Sequence, residues 1–513
     1  MRYLALFSVL MFACTTVQAD ELPDVSEKSI AELRAGFDRG DYTIAEVTRA
    51  YLDRIEAIDR DGPRLNSVLT INPEAMDVAE SLDRELAAGQ ARGPLHGIPV
   101  MLKDNIDTAD LPTTAGSKLL EGSVPPEDAF IVKRLREAGA VILGKNNLSE
   151  WSNFHSSFSS SGWSRLGGQV GNAYDPARNP CGSSSGSAVA TAASLAAFTI
   201  GTETNGSIVC PAQANGIVGL KPTVGLWSRT GIIPISETMD SAGPMTRSVE
   251  DAAVVLGVLA ALDPDDAATE PVEDRRSDNY TRYLDAEDLE GRRIGFYTEP
   301  LGRHYRVDAL THRAIEALRE LGAEIVEIEQ ISKEDINAVS LEVMLHEFRA
   351  GMNAYFERLG EAAPHADYDA MMEALREDPA ETARFDRSTM FMAEQRGDLD
   401  AEIYRNALLH MQSQAREEGI DRVMDEHELD AIAAPSGSPA WMTDLTLGDN
   451  LMVSSSAPSA RAGYPVITVP MGAIDGLPVG LSLFGRAWSE PVLIEIAHVY
   501  ERETDQRRPP EFE

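Results

Sequence analysis

The chain has 513 residues, 43% hydrophobic and 25% charged, an ordinary globular balance that excludes a wholly disordered or collagen-like polypeptide. At roughly 100–200 residues per domain, the length admits about three domains or one large α/β unit, with a core that needs no disulfide or metal staple. Lys and Arg total 45 against 83 Asp and Glu, and the net charge of −38 argues against DNA, RNA or anionic lipid as the main partner.

Residues 1–19 read as a secretory signal peptide. Arg2 is a short positive region, Leu4 to Cys14 are almost wholly apolar, and Val17 and Ala19 are small residues placed before a cut at Asp20. The rival reading is a lipoprotein anchored through Cys14, which Met11-Phe12-Ala13-Cys14 matches poorly. The apolar run is too short for a membrane span, and no later stretch reaches about 18 uninterrupted apolar residues. The expectation is an exported protein, periplasmic or extracellular, comprising residues 20–513 and with no membrane span. Two cysteines remain, Cys181 and Cys210. An oxidising compartment permits a bond between them, but two residues make no disulfide framework, and the simpler reading is a pair of small buried side chains. There is no Cys-x-x-Cys or His-Glu-x-x-His, so no metal site is expected.

Two capping boxes, Ser29-x-x-Glu32 and Thr43-x-x-Glu46, open helices early. Residues 73–88 and 127–138 have helical spacing; 97–103 and 140–144 read as buried strands, the first ending in Lys103. From Ser152 to Gly186 the periodicity gives way to Ser, Gly and Asn with interspersed aromatic residues, which predicts a long functional loop. An alanine-rich helix follows over 187–197, then a helix over 249–262 and an acidic surface excursion over 263–288. Residues 294–297 and 324–328 read as strands flanking a helix over 308–321. Residues 332–428 read as an acidic helical lobe, and strand texture returns at 430–435, 466–469 and 479–484. Helices alternating with short apolar strands indicate an α/β fold.

Three motifs compete for the chemistry. Gly139-x4-Gly144-Lys145 is a near miss for a phosphate loop: Asn146 stands where Ser or Thr ligates magnesium, and the intervening residues form a hydrophobic strand. Gly182-Ser183-Ser184-Ser185-Gly186 matches the nucleophile elbow of an α/β-hydrolase esterase with Ser184 as nucleophile, but turn residues rather than a strand precede it. The third is a pair of glycine-framed serine clusters, residues 181–187 and 201–208. Ser207 lies 24 residues after Ser183, with a helix and a strand between, so one crossover brings both loops to the same sheet end. Gly206 lets the backbone approach a ligand, and Lys103, ending an earlier strand, is placed to enter the same pocket. Taken alone, serine clusters of this kind are more often turns or linkers.

Longer motifs give the resemblance. Gly97-Ile98-Pro99-Val100-Met101-Leu102-Lys103-Asp104-Asn105-Ile106, Thr113-Thr114-Ala115-Gly116-Ser117, the two serine clusters and Gly216-Ile217-Val218-Gly219-Leu220-Lys221-Pro222-Thr223 occur in order. Ala462-Gly463-Tyr464-Pro465 and Gly476-Leu477-Pro478-Val479-Gly480-Leu481 follow near the end. Together they resemble the amidase signature family, and within it the bacterial peptide amidases. Ser161-Gly162-Trp163-Ser164, Gly167-Gly168-Gln169 and the run from Glu203 to Cys210 carry the peptide-amidase character. Two departures, Cys181 where many relatives have Gly and Val209 where many have Arg, fit that subgroup and weaken transfer of substrate from other branches.

The resemblance implies a large mixed β-sheet covered by helices, with no metal or cofactor, and a Ser–cisSer–Lys triad. By motif position Ser207 resembles the nucleophile, Ser183 the bridging serine and Lys103 the base, while the N–H groups of Thr204, Asn205 and Gly206 resemble the oxyanion donors. The substrate implied is a small-molecule or peptide amide, acted on by a monomer or homodimer without nucleic acid. The chemistry is coherent: a serine needs a base to become nucleophilic, and burial makes a lysine that base by lowering its pKa by up to roughly 3–5. An amidotransferase subunit that works on charged tRNA is the rival reading, opposed by the signal peptide and the negative charge. Lys221 reads as structural, Asp104, Asn105 and Asp107 as orienting the lysine loop, Trp163 and Gln169 as channel lining or packing, and residues 340–357 as a cap.

Overall fold

The computed structural model describes residues 22–512; the expected signal segment lies outside the described residues. Both capping boxes form as read. The Ser29 N–H donates to Glu32 Oε2 at 2.8 Å and Ser29 Oγ accepts from the Glu32 N–H at 3.1 Å, starting the helix Ile30–Arg39. The Thr43 pair starts Ile44–Arg54 in the same way. The side chains spaced at helical intervals, Ile44, Val47 and Tyr51, are all buried.

Among the described residues thirteen strands occur in chain order: β1 Val68–Ile71, β2 Pro99–Lys103, β3 Val141–Asn146, β4 Trp163–Ser164, β5 Gly168–Gln169, β6 Phe198–Glu203 and β7 Val218–Lys221, then β8 Ser241–Thr246, β9 Arg293–Tyr297, β10 Glu324–Ile328, β11 Ala431–Pro435, β12 Val466–Ile474 and β13 Leu477–Phe484. Strands β4 and β5 form a small hairpin; the other eleven make one sheet in the order β1-β3-β2-β6-β8-β7-β12-β13-β11-β9-β10. The pairs β2–β3, β2–β6, β9–β11 and β9–β10 are parallel and the rest antiparallel, so the sheet is mixed. Strands β2, β3 and β11 are buried along their whole length, which explains their apolar runs without alternation; β6 and β8 are equally buried but carry small and polar residues.

The predicted helices appear as Ala75–Ala87, Phe130–Glu137, Ser185–Ala192, Val249–Leu259 and Tyr305–Glu320. Residues 337–426 are mainly helical, led by the 23-residue helix Asn337–Leu359. Among the described residues no helix is long and apolar enough to cross a membrane.

The acidic stretch 263–288 lies mostly at the surface, as expected, but it is anchored: Val272 and Tyr280 join the main core, and buried Asp266 pairs with Arg229 at 2.6 Å. Its acidic residues are mixed with a few apolar anchors that composition alone hides. Cys181 and Cys210 are not two separate thiols; they form a disulfide, with Cα atoms 5.8 Å apart. The two serine clusters meet in space, so cysteines at their edges meet as well.

Candidate active site

The parallel strands β2, β3 and β6 end together, and the candidate residues gather there. The register sets Leu102 opposite Ile200 and Lys103 opposite Asn146, so Lys103 emerges beside Thr202. The segment 182–184 leads into the helix Ser185–Ala192, packed so closely that a Cβ on Gly186 would lie 2.3 Å from the Asn147 carbonyl oxygen. The Gly182–Ser183 peptide is cis. Strand β6 then returns the chain to the same sheet end, where Gly206 takes a φ of 82° that glycine adopts without strain.

Lys103 and Ser183 are fully buried, each with 0% exposure. Lys103 Nζ lies 2.7 Å from Ser183 Oγ, 2.8 Å from Thr202 Oγ1 and 3.3 Å from the Thr202 carbonyl oxygen. Burial brings the lysine down to about 7; the nearby Asp240 and Glu203 carboxylates oppose the shift without cancelling it. Asn105 Nδ2 donates to Thr202 Oγ1 at 3.0 Å, which fixes the hydroxyl that receives the lysine.

Ser207 is 9% exposed, and its carbonyl accepts the Ser184 N–H at 3.1 Å. Among the described residues no hydrogen bond joins the Ser207 hydroxyl to Ser183 or Lys103; Ser207 meets the first cluster through its carbonyl alone, while Ser184 Oγ bonds to the Thr202 backbone. The N–H groups of Thr204, Asn205, Gly206 and Ser207 find no acceptor among the described residues. Glu203 Oε2 accepts the next two, from Ile208 at 2.7 Å and Val209 at 2.9 Å, and so closes the loop on itself. Ser456 Oγ donates to Asn205 Oδ1 at 2.8 Å and anchors that side chain.

A cavity of about 860 Å³ opens at this point, with Asn105, Ser183, Thr202, Thr204, Asp240 and Ser241 among its lining. Its far wall includes Glu347, Tyr355 and Arg358 from the helix Asn337–Leu359, so residues expected to cap the pocket do line it. Tyr355 donates to Asp107 Oδ1 at 2.8 Å and Arg358 also pairs with Asp107, which ties this helix to the segment after Lys103. Asp104 pairs with buried Lys145 at 3.4 Å and accepts from the Thr114 N–H at 3.2 Å. Both aspartates therefore brace the lysine loop, as expected.

Other candidates fall elsewhere. Ser184 is buried, donates to the Thr202 carbonyl at 3.0 Å and accepts the Thr202 N–H at 3.1 Å. No strand leads into it, so the elbow of an α/β-hydrolase is not formed. Lys221 donates to the Pro222 carbonyl at 3.1 Å, outside the cavity lining. Trp163 packs edge-on against Phe385, and Gln169 Nε2 donates to the carbonyls of Ser161 and Val170. Gly144-Lys145 lies in fully buried β3, which rules out phosphate wrapping. Sequence reasoning missed Thr202 and Asp240. The first was legible from its place in the second cluster; the second arrives only through the pairing of β6 with β8, which sets Glu203 opposite Ser241.

Residues 46–494 match the family model described as Amidase, and the chain belongs to the amidase signature family. The native peptide amidase of Stenotrophomonas maltophilia is 46% identical, with a TM-score of 0.92 over 96% of this chain and 99% of that one. The "Probable amidase" of Arabidopsis thaliana is 38% identical over 95% of this chain and 92% of its own length. A glutamyl-tRNA(Gln) amidotransferase subunit of Methanosarcina acetivorans is 34% identical over 91% of this chain and 95% of its own. The protein is an amide-hydrolysing enzyme whose mixed sheet and surrounding helices match those of solved peptide amidases.

Proposed function

We propose that the chain is an exported serine amidohydrolase that releases ammonia from C-terminally amidated peptides or similar carboxamides, using Ser207, Ser183 and Lys103. The observation that carries this reading is the buried contact of Lys103 Nζ with Ser183 Oγ and the two Thr202 oxygens. A neutral amine has two hydrogens and one lone pair. The Thr202 oxygens take the hydrogens, and the lone pair is left for the Ser183 hydroxyl. Ser183 passes its proton to Lys103 and takes one from Ser207 as Ser207 attacks the amide carbon. The N–H groups of Thr204, Asn205 and Gly206 donate to the developing oxyanion, where a single donor is worth roughly 3–4 kcal/mol. The proton returns through Ser183 to the departing nitrogen. Water then cleaves the acyl-enzyme by the reverse relay. The relay requires the Ser207 hydroxyl to come within hydrogen-bond reach of Ser183 in the substrate complex, since catalytic hydrogen bonds are often long in the free enzyme.

The likeness to the Stenotrophomonas maltophilia peptide amidase supports the peptide-amide substrate. The N-terminal pattern of Arg2, Leu4 to Cys14 and Ala19 supports export, as does the disulfide, which persists in oxidising compartments. A second reading, one component of a complex that delivers ammonia to charged tRNA, draws on the relative from Methanosarcina acetivorans. Purified chain without partners, offered peptide, aryl and fatty amides, separates the two by ammonia production. Turnover of peptide amides is expected; release only with partner subunits and tRNA overturns the first reading. Fractionation of cells expressing the full chain tests export, and retention in the cytoplasm defeats it.

A further inference from the structure

We propose that the Cys181–Cys210 disulfide is a positioning element of the active site, setting the separation between Ser183 and Ser207. The inference rests on the reading above that these two serines work together. Cys181 stands two residues before Ser183, and Cys210 three residues after Ser207. The bond between them, across 29 positions of sequence, is therefore the covalent bridge between the two loops.

The bridge matters because the serine side chains do not hold each other. Their hydroxyls share no hydrogen bond, so the backbone must set their approach. The noncovalent links between the loops near this point leave the Ser207 side chain untouched: the Ser184 N–H donates to the Ser207 carbonyl at 3.1 Å, the Ser184 hydroxyl exchanges hydrogen bonds with the Thr202 backbone at 3.0 and 3.1 Å, and Asn215 Nδ2 donates to the Pro180 carbonyl at 3.0 Å.

Each half-cystine is fastened into the loop it must steer. The Cys181 N–H donates to Asn179 Oδ1 at 2.8 Å, and the Cys181 carbonyl accepts from Ser185 Oγ at 2.6 Å. Cys181 itself has a φ of 58°, a left-handed backbone that a non-glycine residue rarely takes without surroundings that enforce it. On the other side the Cys210 N–H donates to the Gly206 carbonyl at 2.8 Å, within the oxyanion loop. The two sulfurs sit in a small buried cluster with Ala214 and Trp441. Neither cysteine lines the cavity, so the pair acts through the serine loops and not on substrate.

The Lys103–Ser183 contact lies wholly on one side of the bridge. Losing the bridge should therefore slow Ser207 without changing the group that accepts its proton. The test compares the oxidised enzyme with the Cys181→Ser/Cys210→Ser double variant, each normalised to active sites titrated with a serine-directed acylating probe. We expect kcat per titrated site to fall by about tenfold or more, with KM within about twofold and the midpoint of the pH–rate profile unmoved, since small misplacements of reacting groups are costly. A merely structural role would lower the fraction of titratable sites and leave the rate per site alone.

A rate per site within about threefold of the parent overturns the proposal. If the variant does not fold, the parent enzyme reduced by dithiothreitol gives the same comparison: two thiols form as the reagent closes to its cyclic disulfide. An unchanged rate in that reduced form again overturns it, and recovery on reoxidation supports it. The rate of Ser207 acylation by the probe needs no amide. Absence of ammonia release from the unmodified enzyme thus defeats the substrate reading alone.

Discussion

Lys103 must be uncharged to take a proton, and its interior position brings it to about 7. The neutral fraction grows as pH rises through that value, so kcat/KM is expected to rise through about pH 7 and level off above it. A profile that falls across this range counts against lysine as the base. Lys103→Met should reduce turnover by about two to four orders of magnitude, the usual contribution of a general base. The serines separate two chemistries. Ser207→Ala should abolish both turnover and covalent labelling. Ser184→Ala should keep most activity and lose about 1–3 kcal/mol of stability in urea, because the buried Thr202 N–H would be left without its acceptor. Labelling that survives Ser207→Ala and disappears with Ser184→Ala would return the chain to the esterase reading. The serine clusters stood out as compact runs of small residues framed by glycine, but roles for Ser183 and Ser207 came only from the family resemblance. Asp240 did not stand out, since its place beside Thr204 depends on strand pairing that no local pattern announces.

At the scale of elements, two buried polar ties join the helical segment to the sheet. One runs from Asp107 to Tyr355 and Arg358; the other runs from Arg387 to Glu150 at 2.9 Å and to Glu381 at 3.2 Å. Burial pushes Glu150 up to about 7 against the pull of Arg387, so the guanidinium is what keeps charge tolerable there. Arg387→Met leaves two buried carboxylates without their cation and should cost about 3–5 kcal/mol in denaturant unfolding. A loss below about 1 kcal/mol would mean that Glu150 is already neutral in the native protein. The helices of this segment were readable from spacing, but their seats were not. Strand β8 escaped reading because Ser241-Ala242-Gly243-Pro244 looks like a turn; it is instead a buried strand between β6 and β7. There the Gly243 position has no room for a side chain, its Cβ falling 2.0 Å from the Leu220 carbonyl oxygen.

For the molecule as a whole, a net charge of −38 sets the long-range electrostatics. Self-repulsion of that size opposes the compact state, and salt shortens its reach from about 30 Å at 0.01 M to about 3 Å at 1 M. The melting temperature should therefore rise with sodium chloride over that range; a flat or falling trend would show that self-repulsion does not limit stability. The α/β class was legible from alternating helices and apolar strands and the mixed sheet only from the family resemblance; the strand order was not legible, because pairings such as β7 with β12 join segments far apart in sequence. That pairing also bears on synthesis and transport. Residues 103, 183 and 207 lie in the first half of the chain, yet β7, already beside β8, cannot gain its second neighbour β12 until residue 466 follows, and the wall at Tyr355 and Arg358 also arrives late. A chain emerging end-first, whether from a ribosome or through a translocation pore, carries all its reactive side chains while possessing no chamber in which to use them. On the proposed roles of Lys103, Ser183 and Ser207, amide cleavage therefore waits for the completed molecule.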